Sequence, residues 1–242
     1  MSSIAENLAS VRERIAAACA RAGRDPADVR LVAVSKTFGP EAVDEAIRAG
    51  ADLLGENRVQ EAAGKIPLCA SAEWHLIGHL QTNKVRHALP LFAMLHSVDT
   101  VRLLEALAKE SDESGYRPPI LLEVNVAGEA SKFGFRPEAV ADALRAASEL
   151  GAPPVEGLMT VPPFRPDPED VRPCFRALRE LRDRLRDETG FALPHLSMGM
   201  SHDFEVAVEE GATFVRVGSA IFGPRSYARA RPVRDPDSDS YE

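Results

Sequence analysis

The chain has 242 residues, 45% of them apolar, and a formal net charge of −8. That is enough apolar material for one sizeable core. The mixed charge forms no basic stripe, which speaks against a nucleic-acid partner. Cys19, Cys69 and Cys174 are odd in number, widely spaced and form no C-x-x-C, so neither a disulfide framework nor a zinc knuckle is indicated and thiols in a reducing compartment are expected.

The opening segment MSSIAENLASVRERIAAACARAG carries Glu6, Arg12, Glu13 and Arg14 and lacks the continuous apolar stretch of a signal peptide or membrane span. A cytoplasmic protein with no membrane partner is therefore expected. Ser3 and Glu6 have the spacing of a capping box, Leu8, Val11, Ile15 and Cys19 recur at helical spacing, and Gly23 ends the pattern. Short apolar runs then alternate with helical patterns. RLVAVS precedes PEAVDEAIRAG, ADLLGE precedes NRVQEAAGKI, WHLIGHL precedes QTNKVRHAL, and FAMLHSV precedes TVRLLEALAKES. PILLEVNVA leads to PEAVADALRAASEL, and PVEGLMTV to the long PEDVRPCFRALRELRDRLRDETG, whose Val171, Phe175, Leu178, Leu181 and Leu185 share one face. LPHLSMG precedes SHDFEVAVEEG, and TFVRVGSAIFG closes the series.

Eight strand candidates, seven followed by a clear helix, with no compositional break, predict an α/β chain folded as a single-domain (β/α)8 TIM barrel over residues 1–228. An open doubly wound sheet is the alternative, but no G-x-G-x-x-G follows the first strand. Residues 229–242, ending in RDPDSDSYE, are polar and acidic and are expected to be a disordered tail.

A barrel gathers its chemistry at the C-terminal ends of its strands. The runs here end in Lys36; Glu56 and Asn57; Gly78 and His79; Ser97 and Asp99; Asn125; Met159 and Thr160; Ser197 to Ser201; and Gly218 with Ser219. Lys36 follows an uninterrupted apolar strand, where desolvation favours the neutral amine that attacks a carbonyl. The alternative is a lysine that reaches out of the barrel mouth or pairs with a carboxylate such as Glu56. Gly218 and Ser219 end the last strand, where this fold commonly binds phosphate, and Ser201 adds a hydroxyl on the same side. Arg216 lies inside strand eight between Val215 and Val217, and a buried guanidinium needs an acceptor. That acceptor is either a structural carboxylate or a ligand lying across the barrel mouth. Pyridoxal 5'-phosphate combines an aldehyde for Lys36, a phosphate for Gly218 and Ser219, and a ring nitrogen for Arg216.

The segments LVAVSKT, GENRVQE, WHLIGHLQTNK, HSVDT, EVNVAGEASKFGF, GLMTVPP and SMGMSHDFEVAVEEGATFVRVGSAIFG resemble, in order, the pyridoxal phosphate homeostasis proteins of the YggS/PROSC type. The resemblance implies a barrel like the N-terminal domain of alanine racemase, with the cofactor held covalently on Lys36 as a Schiff base. It implies that Asn57, Ser201, Arg216, Gly218 and Ser219 line or hold that cofactor. It also implies a role in cofactor homeostasis, with delivery to apo-enzymes that use pyridoxal phosphate. Ser219 stands where threonine is frequent, and His202 where a small or acidic residue is usual, which alters the charge near the phosphate. A monomer or weak dimer is expected.

Arg216 bears on catalysis independently. An arginine facing the pyridine nitrogen leaves it unprotonated and the ring a weak electron sink. A racemase with such an arginine needs a second base. The chain ends soon after strand eight, and Tyr116, Tyr227 and Tyr241 do not end barrel strands. A non-catalytic carrier is expected. The alternatives are a small amino-acid racemase recruiting a base such as His79, and a class I aldolase using Lys36 directly. His75 and His79 are expected to be structural or to support ligand-contacting residues from behind, and Lys132 and Arg136 of KFGFRP are candidate contacts for cofactor exchange.

Overall fold

A computed structural model describes residues 2–129 and 132–224. Eight parallel strands close into a barrel in chain order: β1 (Arg30–Val34), β2 (Leu53–Glu56), β3 (Glu73–Leu76), β4 (Met94–Val98), β5 (Ile120–Glu123), β6 (Val155–Met159), β7 (His195–Met200) and β8 (Phe214–Val217). Closure is the pairing of β1 with β8, in which Val32 faces Arg216 and Ala33 faces Val217. On its other side β1 pairs with β2 through Ala33↔Leu54 and Val34↔Gly55. Parallel neighbours cannot be joined by a tight turn, which is why each strand is followed by a helix before the next.

The helices are α1 (Ile4–Ala22), α2 (Pro40–Arg48), α3 (Val59–Lys65), α4 (Val85–Ala88), α5 (Val101–Ser114), α6 (Val140–Glu149), α7 (Arg172–Thr189), α8 (Phe204–Glu209) and α9 (Ser219–Phe222). The expected capping box of Ser3 and Glu6 is formed, and Gly23 ends α1 in a left-handed conformation. Two elements are shorter than their patterns. QTNKVRHAL yields a 3-10 turn, Thr82–Lys84, and then only α4, because Pro90 has no N–H to carry the helical hydrogen bonding on past Leu89. PEDVRPCFRAL starts as a 3-10 turn, Pro168–Val171, before α7, with Pro173 in the first helical turn. The five apolar residues predicted for its inner face are all buried. After β8 there is one further helical turn, α9.

The core has two layers. The larger one lies between strands and helices and includes Leu54, Leu76, Leu122, Phe175 and Val217. The smaller one fills the lumen: Val32, Val34, Leu53, Met94, Leu121, Met159 and Phe214. Side chains alternate between these layers along each strand, which puts Arg216 in the lumen with Phe214. α1 lies against α8 and α9, where Arg14 pairs with Glu205 at 2.9 Å and Asn7 Nδ2 donates to the Ile221 carbonyl at 2.9 Å. The three cysteines are free thiols. The acidic tail, Tyr227 and Tyr241 lie outside the described residues. Among the described residues no helix is long and apolar enough to cross a membrane.

Candidate functional site

One cavity of about 320 Å³ opens at the C-terminal end of the barrel, and Lys36, Asn57, Ser201, Arg216, Gly218 and Ser219 all line it. Topology brings them together: they come from β7, β8, β1 and β2 or the residues that follow, four successive neighbours in the barrel. Val34, Ile77, Val161 and Met200 supply apolar wall, and His202 completes the lining.

Lys36 is half-buried just beyond β1, on a turn fastened from behind. Ser35 is buried and its hydroxyl donates to Glu56 Oε1 at 2.6 Å, while Lys65 Nζ donates to the Ser35 carbonyl at 2.9 Å. Thr37 adopts φ 71°, unusual for a β-branched residue. Its N–H donates to Glu61 Oε1 at 2.6 Å. Lys65 Nζ joins the two acids, lying 2.7 Å from Glu56 Oε1 and 2.9 Å from Glu61 Oε1. The residues flanking Lys36 are thus held by a buried cluster between the barrel and α3. Burial pushes the Glu56 carboxyl above its ordinary range, against the opposing pull of Lys65 and Ser35.

Asn57 follows β2 and packs against Gly78. A side chain at Gly78 would put its Cβ 2.7 Å from the Asn57 Cα, so only glycine allows the approach. The Asn57 Oδ1 is buried and has no hydrogen-bond partner, an uncompensated acceptor beside the cavity.

Arg216 is 4% exposed. Its Nη1 donates to Ser197 Oγ at 2.6 Å and its Nη2 to the Thr160 carbonyl at 2.9 Å. Burial lowers its pKa to about 10, against the attraction of Glu123 and Asp203, so it remains a cation at neutral pH. Among the described residues no carboxylate forms an ion pair with it. The structural salt bridge that would explain a buried arginine is therefore replaced by neutral oxygens, and a guanidinium with five N–H groups retains donor capacity toward the cavity.

At the other end, Ser201 Oγ accepts from the backbone N–H of Gly218 at 3.2 Å and of Ala220 at 3.3 Å. This ties the turn after β7 to the turn after β8 and puts the hydroxyls of Ser201 and Ser219 at one end of the cavity. β8 leaves its strand close to β1, with the Val34 carbonyl 3.3 Å from where a Gly218 side chain would begin. His202 Nε2 lies 3.1 Å from the Arg165 carbonyl and 3.0 Å from that of Pro166, which commits this nitrogen as a donor.

Other candidates lie apart. His79 does not line the cavity; its Nδ1 is 2.9 Å from Asp99 Oδ2 and its ring stacks on Phe133 with centroids 4.1 Å apart. Lys132 Nζ donates to the carbonyls of Val161 and Pro162. Tyr116 is exposed on the stretch leading into β5, at the barrel's opposite end. Among the described residues no group of three or more His, Cys, Asp or Glu side chains could hold a metal ion. Sequence reasoning missed Lys65 and Glu61, which hold the Lys36 turn. Their i,i+4 spacing on α3 reads like any solvated ion pair.

A parallel barrel with a lysine after its first strand and an arginine within its last belongs to a defined class. The family model for the alanine racemase N-terminal domain matches residues 6–226. A pyridoxal phosphate homeostasis protein of Aquifex aeolicus is 48% identical over 92% of this chain and 98% of its own length. One from Pseudomonas aeruginosa is 44% identical over 94% of this chain and 98% of its own. PipY of Synechococcus elongatus, solved with PLP bound, superposes with a TM-score of 0.80 at 36% identity, covering 91% of this chain and all of that one. The chain belongs to the family of pyridoxal phosphate homeostasis proteins.

Proposed function

We propose that this chain binds pyridoxal 5'-phosphate reversibly and serves the homeostasis of that cofactor, without turning over amino acids itself. The observation that carries the reading is Arg216: a buried cation held by neutral oxygens on the same cavity as Lys36. The cavity fits the cofactor on its own evidence, since Arg216 keeps donor capacity toward an acceptor and the apolar lining suits the faces of a ring. When bound, the cofactor supplies an electrophilic aldehyde and an electron-withdrawing ring. Lys36 offers the amine for covalent attachment, and its turn is fastened on both sides. Ser201, Gly218 and Ser219 receive the phosphate, and Asn57 closes the side of the site nearest β2. Arg216 donates to the ring nitrogen and, with a pKa of about 10, does not surrender its proton at neutral pH.

A non-catalytic role is supported by what the cavity offers. Its titratable lining residues are Lys36, His202 and Arg216, and His202 Nε2 is engaged with two main-chain carbonyls. A general base must reach the proton it removes, and among the described residues lining the cavity there is no Tyr, Cys, Asp or Glu to act as one. The names of the relatives support homeostasis over racemisation. Reversible binding in a cytoplasmic monomer or weak dimer would let the protein limit free aldehyde and pass cofactor to apo-enzymes.

The test is the visible absorption of the purified protein, followed by borohydride reduction and peptide mapping. Covalent label on Lys36, its loss in Lys36→Ala with the fold retained, and no change in chirality of alanine or serine are the expected results. Label on another lysine would refute the assignment, and racemisation by pure protein would refute the non-catalytic reading.

A further inference from the structure

Barrel lumens are ordinarily filled by branched apolar side chains. Here two histidines and a serine stand among them. His75 and His96 are 1% and 0% exposed, and their rings lie 5.6 and 5.3 Å from that of Phe214, the luminal residue beneath Arg216 on β8. They are linked without a break. Ser197 Oγ, which accepts from Arg216 Nη1 at 2.6 Å, is 2.8 Å from His96 Nδ1. His96 Nε2 is 2.9 Å from His75 Nδ1, and His75 Nε2 is 2.7 Å from Glu73 Oε1. Glu73, at the start of β3, is in turn clasped by Arg30 through contacts of 2.7 and 3.2 Å. The chain therefore runs from the cavity to the opposite end of the barrel.

Its direction follows from proton placement. The hydrogen bonds from His75 and then Arg30 hold the Glu73 carboxyl down at about 2, so it is an anion and only accepts. His75 Nε2 must then donate. Burial lowers the pKa of His75 despite Glu73, and that of His96 strongly, so both rings are neutral. A neutral ring has one donor and one acceptor. His75 Nδ1 accordingly accepts from His96 Nε2–H, and His96 Nδ1 accepts from the Ser197 hydroxyl. Ser197, having donated its proton inward, keeps its lone pairs for Arg216. Each donor strengthens the next acceptor along such a chain.

We propose that Ser197, His96, His75 and Glu73 form a directed hydrogen-bond chain through the lumen that positions Arg216 for the ring nitrogen of the cofactor. The inference rests on the pyridoxal phosphate reading of the cavity. These four are positioning residues: of the chain and the arginine it reaches, only Arg216 lines the cavity. The chain fixes one edge of the guanidinium, the Thr160 carbonyl fixes another, and the remaining N–H groups are presented to the ligand.

The test compares the affinity of cofactor-free protein for pyridoxal 5'-phosphate with that for the analogue carrying a ring CH in place of the nitrogen, which cannot accept there. Ser197→Ala should weaken binding of the natural cofactor about tenfold, the scale of one hydrogen bond to a charged group, and leave the analogue nearly unchanged. Ser197→Thr, which keeps the hydroxyl, should restore the difference. If Ser197→Ala does not fold, Glu73→Met removes the acceptor at the half-exposed far end of the chain and should shift the ratio in the same direction. Equal weakening toward both ligands would overturn the proposal in favour of a merely structural chain. So would a wild-type protein that does not distinguish them, with the cofactor reading left standing. A wild-type protein that binds neither would overturn both.

Discussion

Replacing Lys65 with methionine should unfasten the turn that carries Lys36. The substitution keeps an apolar stem but removes an ammonium shared by Glu56, Glu61 and the Ser35 carbonyl, all within 2.9 Å. Glu56 is fully buried and its Oε2 has no hydrogen-bond partner, so the carboxylate would keep only the Ser35 hydroxyl. Breaking a buried pair by removing one partner costs about 3–5 kcal/mol, and that loss is expected at pH 8. At lower pH the carboxyl can take up a proton instead. Burial already raises the Glu56 pKa with Lys65 present, and without Lys65 it rises further. The folded variant then holds a proton that the unfolded chain releases, so its stability falls as pH rises through the raised value. The deficit against the parent should accordingly be smaller at pH 5 than at pH 8. Guanidinium unfolding followed through the single tryptophan, Trp74, which is 4% exposed, reads this directly. Adding Glu56→Gln should recover most of the loss, since no buried charge remains to be compensated. A cost below about 1 kcal/mol at pH 8, the range of an exposed pair, would refute the reasoning, as would a double variant no more stable than Lys65→Met alone.

The barrel was legible because each strand is an apolar run and the strand–helix repeat returns eight times. Lys36 and Arg216 were legible for the same reason in reverse: a charge at the end of, or inside, such a run has to be accounted for. What holds them was not legible. Glu61 and Lys65 look like a solvent pair until α3 packs its Lys65 side inward onto β2. His75 and His96 sit in runs that read as ordinary strand, and His75 was expected only to be structural or to support a ligand-contacting residue from behind. Whether a strand residue faces lumen or helices depends on its parity, but which luminal residues meet depends on register, as in Val32↔Arg216 and His75↔Met94. Register is set by packing around the whole ring and has no local signature. The sequence also left open whether Arg216 answers a structural carboxylate, and only its placement beside Ser197 and Thr160 decides against that.

Two further predictions bear on the edges of the cavity. Gly78→Ala would drive a methyl into the Asn57 backbone; overpacking of this kind costs about 1–3 kcal/mol, and cofactor affinity should fall along with thermal stability, whereas an unchanged affinity would show that Asn57 does not shape the site. Glu123→Gln should alter the pH dependence of folding. Burial, with Asp99 adding to it, pushes the Glu123 carboxyl up to about 7, against Arg216, His79 and Lys132. Between its ordinary value and 7 the folded chain therefore binds a proton that the unfolded chain has released. The associated stability is fully present below the unfolded pKa and is lost as pH rises through about 7. Glutamine cannot ionise, so the variant should escape that loss, by at most about 3 kcal/mol, and should melt above the parent at pH 8 while matching it near pH 5. Melting curves that stay parallel across this interval would mean that Glu123 is already ionised in the folded protein, and that the charge around Arg216 is one negative unit greater at neutral pH than its burial implies.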